Sequence, residues 1–171
     1  FVPLSSTDRY GYTVDLVQCL LCEHRYLKTQ LTTAGTQHFY QHVYRDLTRS
    51  LGLVSSPEEI QQDQRHYAFH VVTFLQQSGF DPPDGGLCLD FGGSTGFIAA
   101  AVCKAYQLQG IVVDWATNAL AHVPPLLTAV EADLTTYQPP RLADLILLCR
   151  TIDHLPNVTQ TLHQCLTCLA P

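Results

Sequence analysis

The residues best suited to chemistry are concentrated between Asp90 and Gly96, where the sequence reads DFGGSTG. Its glycines, which include Gly92 and Gly93, let the backbone turn sharply and let a ligand approach where a Cβ would obstruct it. The helix predicted to follow offers unpaired N–H groups and the positive end of its dipole. Asp114 ends the next predicted strand, where its carboxylate can accept hydrogen bonds from two ribose hydroxyls. The pattern predicts a nucleoside-binding turn.

The acid that precedes the glycines indicates the class of nucleoside cofactor. Dinucleotide-binding turns usually read Gly-x-Gly-x-x-Gly and hold a pyrophosphate. Asp90 would repel a pyrophosphate but would attract an ammonium group, directly or through water. S-adenosylmethionine (SAM) combines adenosine with an amino-acid tail, so the sequence favours it over a nicotinamide dinucleotide.

The elements that must position this turn alternate between strands and helices. Predicted strands are LCLD, GIVVD, LTAVEAD and ADLILLCR, and predicted helices are GFIAAAVCKAYQL and NVTQTLHQCLTCL. Apolar strands that alternate with helices predict a parallel α/β sheet with right-handed crossovers. Upstream, a long helix is expected from SSPEEIQQDQRHYAFHVVTFLQQSGF, capped by Ser55 or Ser56. The side chains expected to pack it against the sheet are Ile60, Tyr67, Val71, Phe74 and Leu75.

Four segments carry a resemblance to a known family. LDFGGSTG, GIVVDWATNAL, VEADL and ADLILLCRTIDHLPNVTQTLHQCLTCLAP resemble, in order and spacing, the motifs of class I SAM-dependent methyltransferases of the type-12-like group. The resemblance implies a Rossmann-like α/β fold with parallel strands in the order 3-2-1-4. It also implies SAM as cofactor and methyl transfer to a small-molecule or sugar-like acceptor, at oxygen, nitrogen or carbon. The alternative function is a catalytically silent SAM-fold module that serves interaction or assembly within a larger protein.

The resemblance also implies which residues bind the cofactor. They are Asp90, Gly92, Gly93, Ser94, Gly96, Asp114, Trp115, Asp133, Leu134 and Arg150. Those of the glycine turn would surround the methionine part, and Asp114 would meet the ribose. Trp115 would lie against the adenine ring, whose edge would meet Asp133 and Leu134. Ser94 stands where the family most often has glycine.

A candidate catalytic base follows the fourth predicted strand. His154, in TIDHL, should lie near the carboxyl ends of the strands, where open α/β sheets bind ligands. A histidine there could deprotonate an acceptor hydroxyl near neutral pH. It could equally be a structural histidine that fixes the loop, since many members of the resembled family carry an acid-histidine pair here. Arg150 and Thr151, just before it, would border the cofactor or the acceptor.

Residues 1–54 are expected to form a mainly helical extension to the SAM-binding core at 55–171. HFYQHVYRDL has aromatic and apolar residues at helical spacing. Polar and aromatic residues expected to flank the cofactor cleft are Tyr40, Tyr44, Arg65, His66 and Tyr67. They would either pack with solvent-exposed polar tips, or have a functional role, in which Arg65 or a tyrosine meets the cofactor carboxylate or the group lines the acceptor pocket.

The N-terminal cysteines resemble part of a zinc ribbon that precedes the catalytic fold in some methyltransferases. Cys19 and Cys22 would be its second knuckle, but the first Cys-x-x-Cys is not in the sequence, and zinc needs four ligands. The side chains that could substitute are His24, His38 and His42. Cys165 and Cys168 are expected to be small apolar side chains on a core helix. We therefore predict no bound metal.

Composition excludes several other classes of protein. A net charge of -6 gives no basic surface for nucleic acid, and the apolar runs are too short to span a membrane. An odd count of 7 cysteines suits reduced thiols, and a cytoplasmic location is expected. The sequence stops where the resembled family continues with a fifth strand and an antiparallel pair, so we expect a fragment truncated at both ends. The exposed sheet edge would then be covered by a missing domain or a partner chain.

Overall fold

The structure is a computed structural model that describes residues 1–8, 10–52, 56–155 and 157–171. It divides into two compact units, Phe1–Thr36 and Gln37–Pro171. The domain boundary expected from the sequence, between residues 54 and 55, lies outside the described residues and stays a prediction. The same holds for Ser55 as a helix cap.

The first unit is built on an antiparallel sheet of three strands in the order β1-β2-β3. Its strands are β1 (Val2–Thr7), β2 (Thr13–Gln18) and β3 (Arg25–Leu27). The turn between β1 and β2 is held by the carboxylate of Asp8, which accepts hydrogen bonds from the N–H groups of Tyr10 and Tyr12 at 2.8 and 2.9 Å. The prediction of a mainly helical extension was therefore wrong for these residues. In β2 the side chains alternate between exposed and covered positions, which suits a strand, whereas those of β1 are nearly all exposed.

Helices do occupy residues 33–50 of the predicted extension. They are α1 (Thr33–His38), a π-helical turn (Phe39–Val43) and α2 (Tyr44–Ser50). The helix predicted over HFYQHVYRDL is confirmed, but its middle is wound more widely than an α-helix. Such π turns are often found at functional sites.

A long helix, α3 (Pro57–Gln77), precedes the parallel sheet. Ser56 caps it: its hydroxyl accepts from the N–H of Glu59 at 3.1 Å, and its own N–H donates to the Glu59 carboxylate at 3.1 Å. Of the predicted apolar stripe, Leu75 is buried, whereas Phe74 is 67% exposed. The prediction that Phe74 packs against the sheet was wrong, because its side chain lies on the solvent side of the helix.

Four parallel strands form the sheet of the second unit, in the order β6-β5-β4-β7. They are β4 (Leu87–Phe91), β5 (Gln109–Asp114), β6 (Leu127–Glu131) and β7 (Leu145–Leu147). The helices that join or follow them are α4 (Phe97–Tyr106), α5 (Thr117–Leu120) and α6 (Val158–Cys168). The Rossmann-like order 3-2-1-4 is confirmed. β7 is shorter than predicted and only partly buried, because it lies at a sheet edge.

The register of the sheet aligns the strand ends that matter for the site. Phe91, the last residue of β4, pairs with Val113 of β5, and Asp114 pairs with Glu131 of β6. Adjacent parallel strands therefore end together, and the segments that follow them meet at one edge of the sheet.

The core lies on both faces of this sheet. One apolar cluster joins α3 and α4 to the sheet, and the other includes Cys165 and Cys168 of α6, which are buried as predicted. In the ranges that the structure describes, no helix is long and apolar enough to cross a membrane.

Candidate functional site

The turn between β4 and α4 requires glycine for two separate physical reasons. Gly92 and Gly96 have φ of 73° and 72°, in the left-handed region that favours glycine. Gly93 is needed for space, because an added Cβ would overlap the carboxyl group of Asp90. A Cβ on Gly92 would also come within 2.5 Å of a Thr151 methyl group. The turn is thus packed closely from both sides.

The carboxyl group of Asp90 is completely buried beneath this turn. Neither of its oxygens has a hydrogen-bond partner within the described part of the chain. Burial raises the pKa of Asp90 to about 7, and the charge of Asp114 adds to that rise. The backbone N–H of Ala99 opposes it more weakly, from outside hydrogen-bonding geometry. An unpaired buried acid of this kind is strongly stabilised by a nearby cation.

Asp114 is held in a defined orientation at the end of β5. Its Oδ2 accepts a hydrogen bond from the N–H of Ser94 at 2.8 Å, and its Oδ1 accepts from the N–H of Ala116 at 2.9 Å. Each carboxylate oxygen has a further lone pair and can accept from a ligand hydroxyl. The carboxylate is therefore preoriented for the ribose role that the sequence predicts.

Most of the turn's backbone donors are already used within the chain. The N–H groups that donate internally are those of Gly92, Ser94, Gly96 and Phe97. A pyrophosphate-binding turn needs such groups free to face the ligand. This turn therefore offers little to a diphosphate, and the two acids beside it would repel one.

Gln64 of α3 holds the same turn through hydrogen bonds, a role not among the sequence predictions. Its Nε2 donates to the carbonyl of Gly93 at 3.2 Å. Its Oε1 accepts from the hydroxyl of Thr95 at 2.7 Å and from the N–H of Phe97 at 3.1 Å. Gln64 lies in the polar run QQDQRH, which gives no local signal of such a role, because its partners are distant in the sequence.

Arg150 follows β7 and contacts side chains of α3, the helix that carries Gln64. Its guanidinium contacts Asp63 Oδ2 at 2.5 Å and lies 4.5 Å from the centre of the Tyr67 ring. Its backbone has φ of 56°, which is unusual for a residue with a side chain. Arg65, a predicted flanking residue, lies 4.6 Å from the ring of Phe97. Arg150 thus contacts α3, and Arg65 contacts the first residue of α4.

His154 is exposed on a 3-10 turn, Ile152–His154, just beyond β7. Its ring meets that of Tyr40 edge to face, with centroids 5.9 Å apart. Gln41, the next residue, donates from Nε2 to the carbonyl of Trp115 at 3.1 Å. The π-helical turn therefore contacts the segments after both β7 and β5. Of the predicted flanking residues, Tyr40 thus lies beside His154, the candidate base.

The remaining predicted cofactor residues follow β5 and β6. Trp115 is half-buried directly after Asp114. Asp133 accepts hydrogen bonds at Oδ1 from the N–H and hydroxyl of Thr135, both at 2.8 Å, and Leu134 is buried. The structure thus places these residues at the expected strand ends, and their roles toward adenine stay predictions.

The N-terminal cysteines form a turn between β2 and β3. The N–H of Leu21 donates to Cys19 Sγ at 3.4 Å, and the N–H groups of Cys22 and Leu21 lower the pKa of the Cys19 thiol. Across the described ranges, no group of three or more histidine, cysteine or acidic side chains is placed to hold a metal ion.

Comparison with known proteins identifies the family. A family model described as a methyltransferase domain matches residues 60–171, which is more than half of the chain. The chain therefore belongs to the methyltransferase-domain family. None of the curated proteins compared with it matches the sequence.

Solved structures of methyltransferases share the fold at low sequence identity. The plantazolicin methyltransferase BpumL, in complex with S-adenosylhomocysteine (SAH), has 16% identity and a TM-score of 0.60, covering 79% of this chain and 52% of its own. The SAM-bound amino pentose methyltransferase CalS10 of Micromonospora echinaspora has 19% identity and a TM-score of 0.53, covering 76% and 52%. The chain spans about half the length of these relatives.

Proposed function

We propose that this chain is the cofactor-binding part of a SAM-dependent methyltransferase. The observation that carries the proposal is the buried, unpaired carboxyl of Asp90, beside the second carboxyl of Asp114. A ligand with an ammonium and a sulfonium would relieve this concentration of negative charge. A pyrophosphate would increase it, and most of the turn's N–H groups are already engaged. Membership of the methyltransferase-domain family supports the same cofactor.

In this proposal the strand ends divide the work of holding SAM. The glycine turn lies against the methionine part, and Asp90 balances its charge from below. Asp114 accepts hydrogen bonds from the ribose hydroxyls, while Trp115 and the Asp133–Leu134 segment border the adenine. Bound SAM supplies a methyl group already activated by its sulfonium, so the chain has mainly to orient the acceptor.

His154 is our candidate for the group that removes a proton from the acceptor. Its exposed ring beside Tyr40 supports this role, because an acceptor at the strand ends would be within reach of both. We propose a small-molecule or sugar-like acceptor. The solved relatives named for an amino pentose and for plantazolicin support acceptors of that kind.

Calorimetry with SAH tests the cofactor assignment. Wild-type protein is expected to bind SAH, and Asp114→Ala to lose most of that affinity, because the ribose loses its acceptor. Exposed Asp84→Ala is the matched control and should bind as wild type does. Preferential binding of NADH by the wild type would overturn the proposal.

A second candidate is a catalytically silent SAM-fold module that serves assembly. It is supported by an apolar stripe on α6, where Val158, Leu162 and Leu166 are all exposed at four-residue spacing. In this reading a partner chain or a further domain covers that surface and the sheet edge at β7. Transfer of a labelled methyl group to any acceptor in a panel of amines and sugars would support the enzyme over the silent module. Binding of SAH without transfer to any of them would favour the silent module.

The cytoplasmic location stays a sequence-based prediction.

A further inference from the structure

Gln64 connects α3 to both halves of the glycine turn. Its amide donates to the carbonyl of Gly93 on the near side and accepts from Thr95 and Phe97 on the far side, at 3.2, 2.7 and 3.1 Å. Thr95 is only 1% exposed, so its hydroxyl could not exchange this bond for water without a rearrangement. One side chain therefore fixes the separation of the two halves.

The same side chain also caps α4. The residue at its N-cap position, Gly96, has no side chain and cannot cap the helix itself. Gln64 Oε1 takes over this task for the N–H of Phe97, although it comes from a different helix. The start of α4 and the turn before it are therefore held by one residue that is distant in the sequence.

Loss of Gln64 would leave α3 anchored by its neighbours. Asp63 pairs with Arg150, and Arg65 lies over the ring of Phe97. Ala68 is buried in the core one turn further along. A substitution at Gln64 is thus expected to loosen the turn without detaching the helix.

We propose that Gln64 is a positioning residue for the amino-acid end of the cofactor. The inference rests on the proposed function, in which the turn from Gly93 to Gly96 surrounds the methionine part. Gln64 acts through this turn and does not itself bind the ribose or adenine, which are assigned to Asp114 and the residues after it. The proposal therefore predicts a selective loss, confined to ligands that carry the amino-acid tail.

The experiment compares two ligands by calorimetry on the intact chain. SAH carries the amino-acid tail, and 5′-methylthioadenosine has the same nucleoside thioether without it. Gln64→Met has a similar length but cannot form the three hydrogen bonds. It is expected to weaken SAH binding about tenfold, which corresponds to loss of about one net hydrogen bond. Binding of 5′-methylthioadenosine should stay within about twofold of wild type.

Controls make the outcome decisive. Gln62→Met, on the exposed face of the same helix, should leave both affinities unchanged. If Gln64→Met does not fold, Gln64→Glu replaces it, because that variant keeps the acceptor for Thr95 and Phe97 but turns the donor to Gly93 into a second oxygen; the charge it adds is matched by the control variant Gln62→Glu. An equal loss for both ligands, or unchanged SAH binding, would overturn the positioning role. Wild-type protein that binds neither ligand would instead overturn the proposed function.

Discussion

Asp90 and Asp114 lie at the carboxyl ends of adjacent parallel strands, close enough that the charge of Asp114 raises the pKa of Asp90. Burial is the larger cause of the rise, and together they bring the pKa to about 7. Without a cation beside it, the Asp90 carboxyl therefore ionises with difficulty. Burying such a group opposes folding, and we interpret it as a feature kept for binding a cation.

The first prediction concerns stability and pH. An acid whose pKa is higher in the folded state binds its proton more tightly there, so stability falls as pH rises from its unfolded value toward the folded one. For Asp90 this interval runs from about 4 to about 7. The measured quantity is the free energy of unfolding of wild type minus that of Asp90→Asn, each obtained from urea unfolding. This difference should fall by about 2 to 3 kcal/mol between about pH 5 and 8.

Two comparisons check that Asp90 is the group responsible. Burial and the charge of Asp90 raise the pKa of the Cys149 thiol to about 12, so this neighbour stays neutral over the interval. Asp84→Asn removes an exposed acid and should follow the pH dependence of wild type. A gap between wild type and Asp90→Asn that is constant with pH would contradict the prediction.

The second prediction concerns the contact between Gly93 and Asp90. Because a Cβ on Gly93 would overlap the Asp90 carboxyl, Gly93→Ala should destabilise the protein by about 2 kcal/mol. In an Asp90→Ala background the same change should cost less than about 1 kcal/mol, because the overlapping group is gone. Urea unfolding of the two single variants and the double variant measures the coupling. Additive losses would show that the two side-chain positions do not interact.

The third prediction concerns Ser94, which has φ of 55° and a buried hydroxyl without a partner among the described residues. Ser94→Gly relieves the left-handed strain and removes the unpaired hydroxyl. Ser94→Gly should therefore stabilise the protein by about 1 kcal/mol, which is measured as a higher midpoint of thermal unfolding. Ser94→Ala removes the hydroxyl but keeps the strain, and should fall below the glycine variant. The reverse order would mean that the left-handed backbone carries no strain here.

The fourth prediction concerns His154. If its imidazole removes the acceptor proton, His154→Asn should lower kcat at least about 100-fold at an unchanged affinity for SAH. His154→Phe, which keeps a ring beside Tyr40, would restore the edge contact but not turnover. Full turnover in His154→Asn, with normal folding, would assign the residue a structural role.

The glycine turn and the parallel sheet could be predicted because their signals are local. The spacing of Gly92, Gly93 and Gly96 and the apolar strands around them are properties of short segments. The acid at the end of β5 follows directly from where that strand stops. These features were confirmed, down to the order of the strands.

What the sequence did not reveal depends on partners that are distant along the chain. Gln64 has no distinguishing neighbours on α3, and its role appears only once the glycine turn lies beside it. Phe74 fits the apolar period of the helix, yet its side chain is exposed to solvent. The antiparallel sheet of the first unit was missed because its strands are short and largely exposed, which weakens the alternation.

The hydrogen bonds inside the glycine turn have a consequence for the kinetics of ligand capture. Since Gly92, Gly96 and Phe97 already donate within the chain, the loop does not have to become ordered when a ligand arrives. The entropy lost on binding is then chiefly that of the small molecule. Binding should not have to wait for a slow rearrangement of the loop. We expect a single fast association phase whose rate rises linearly with ligand concentration.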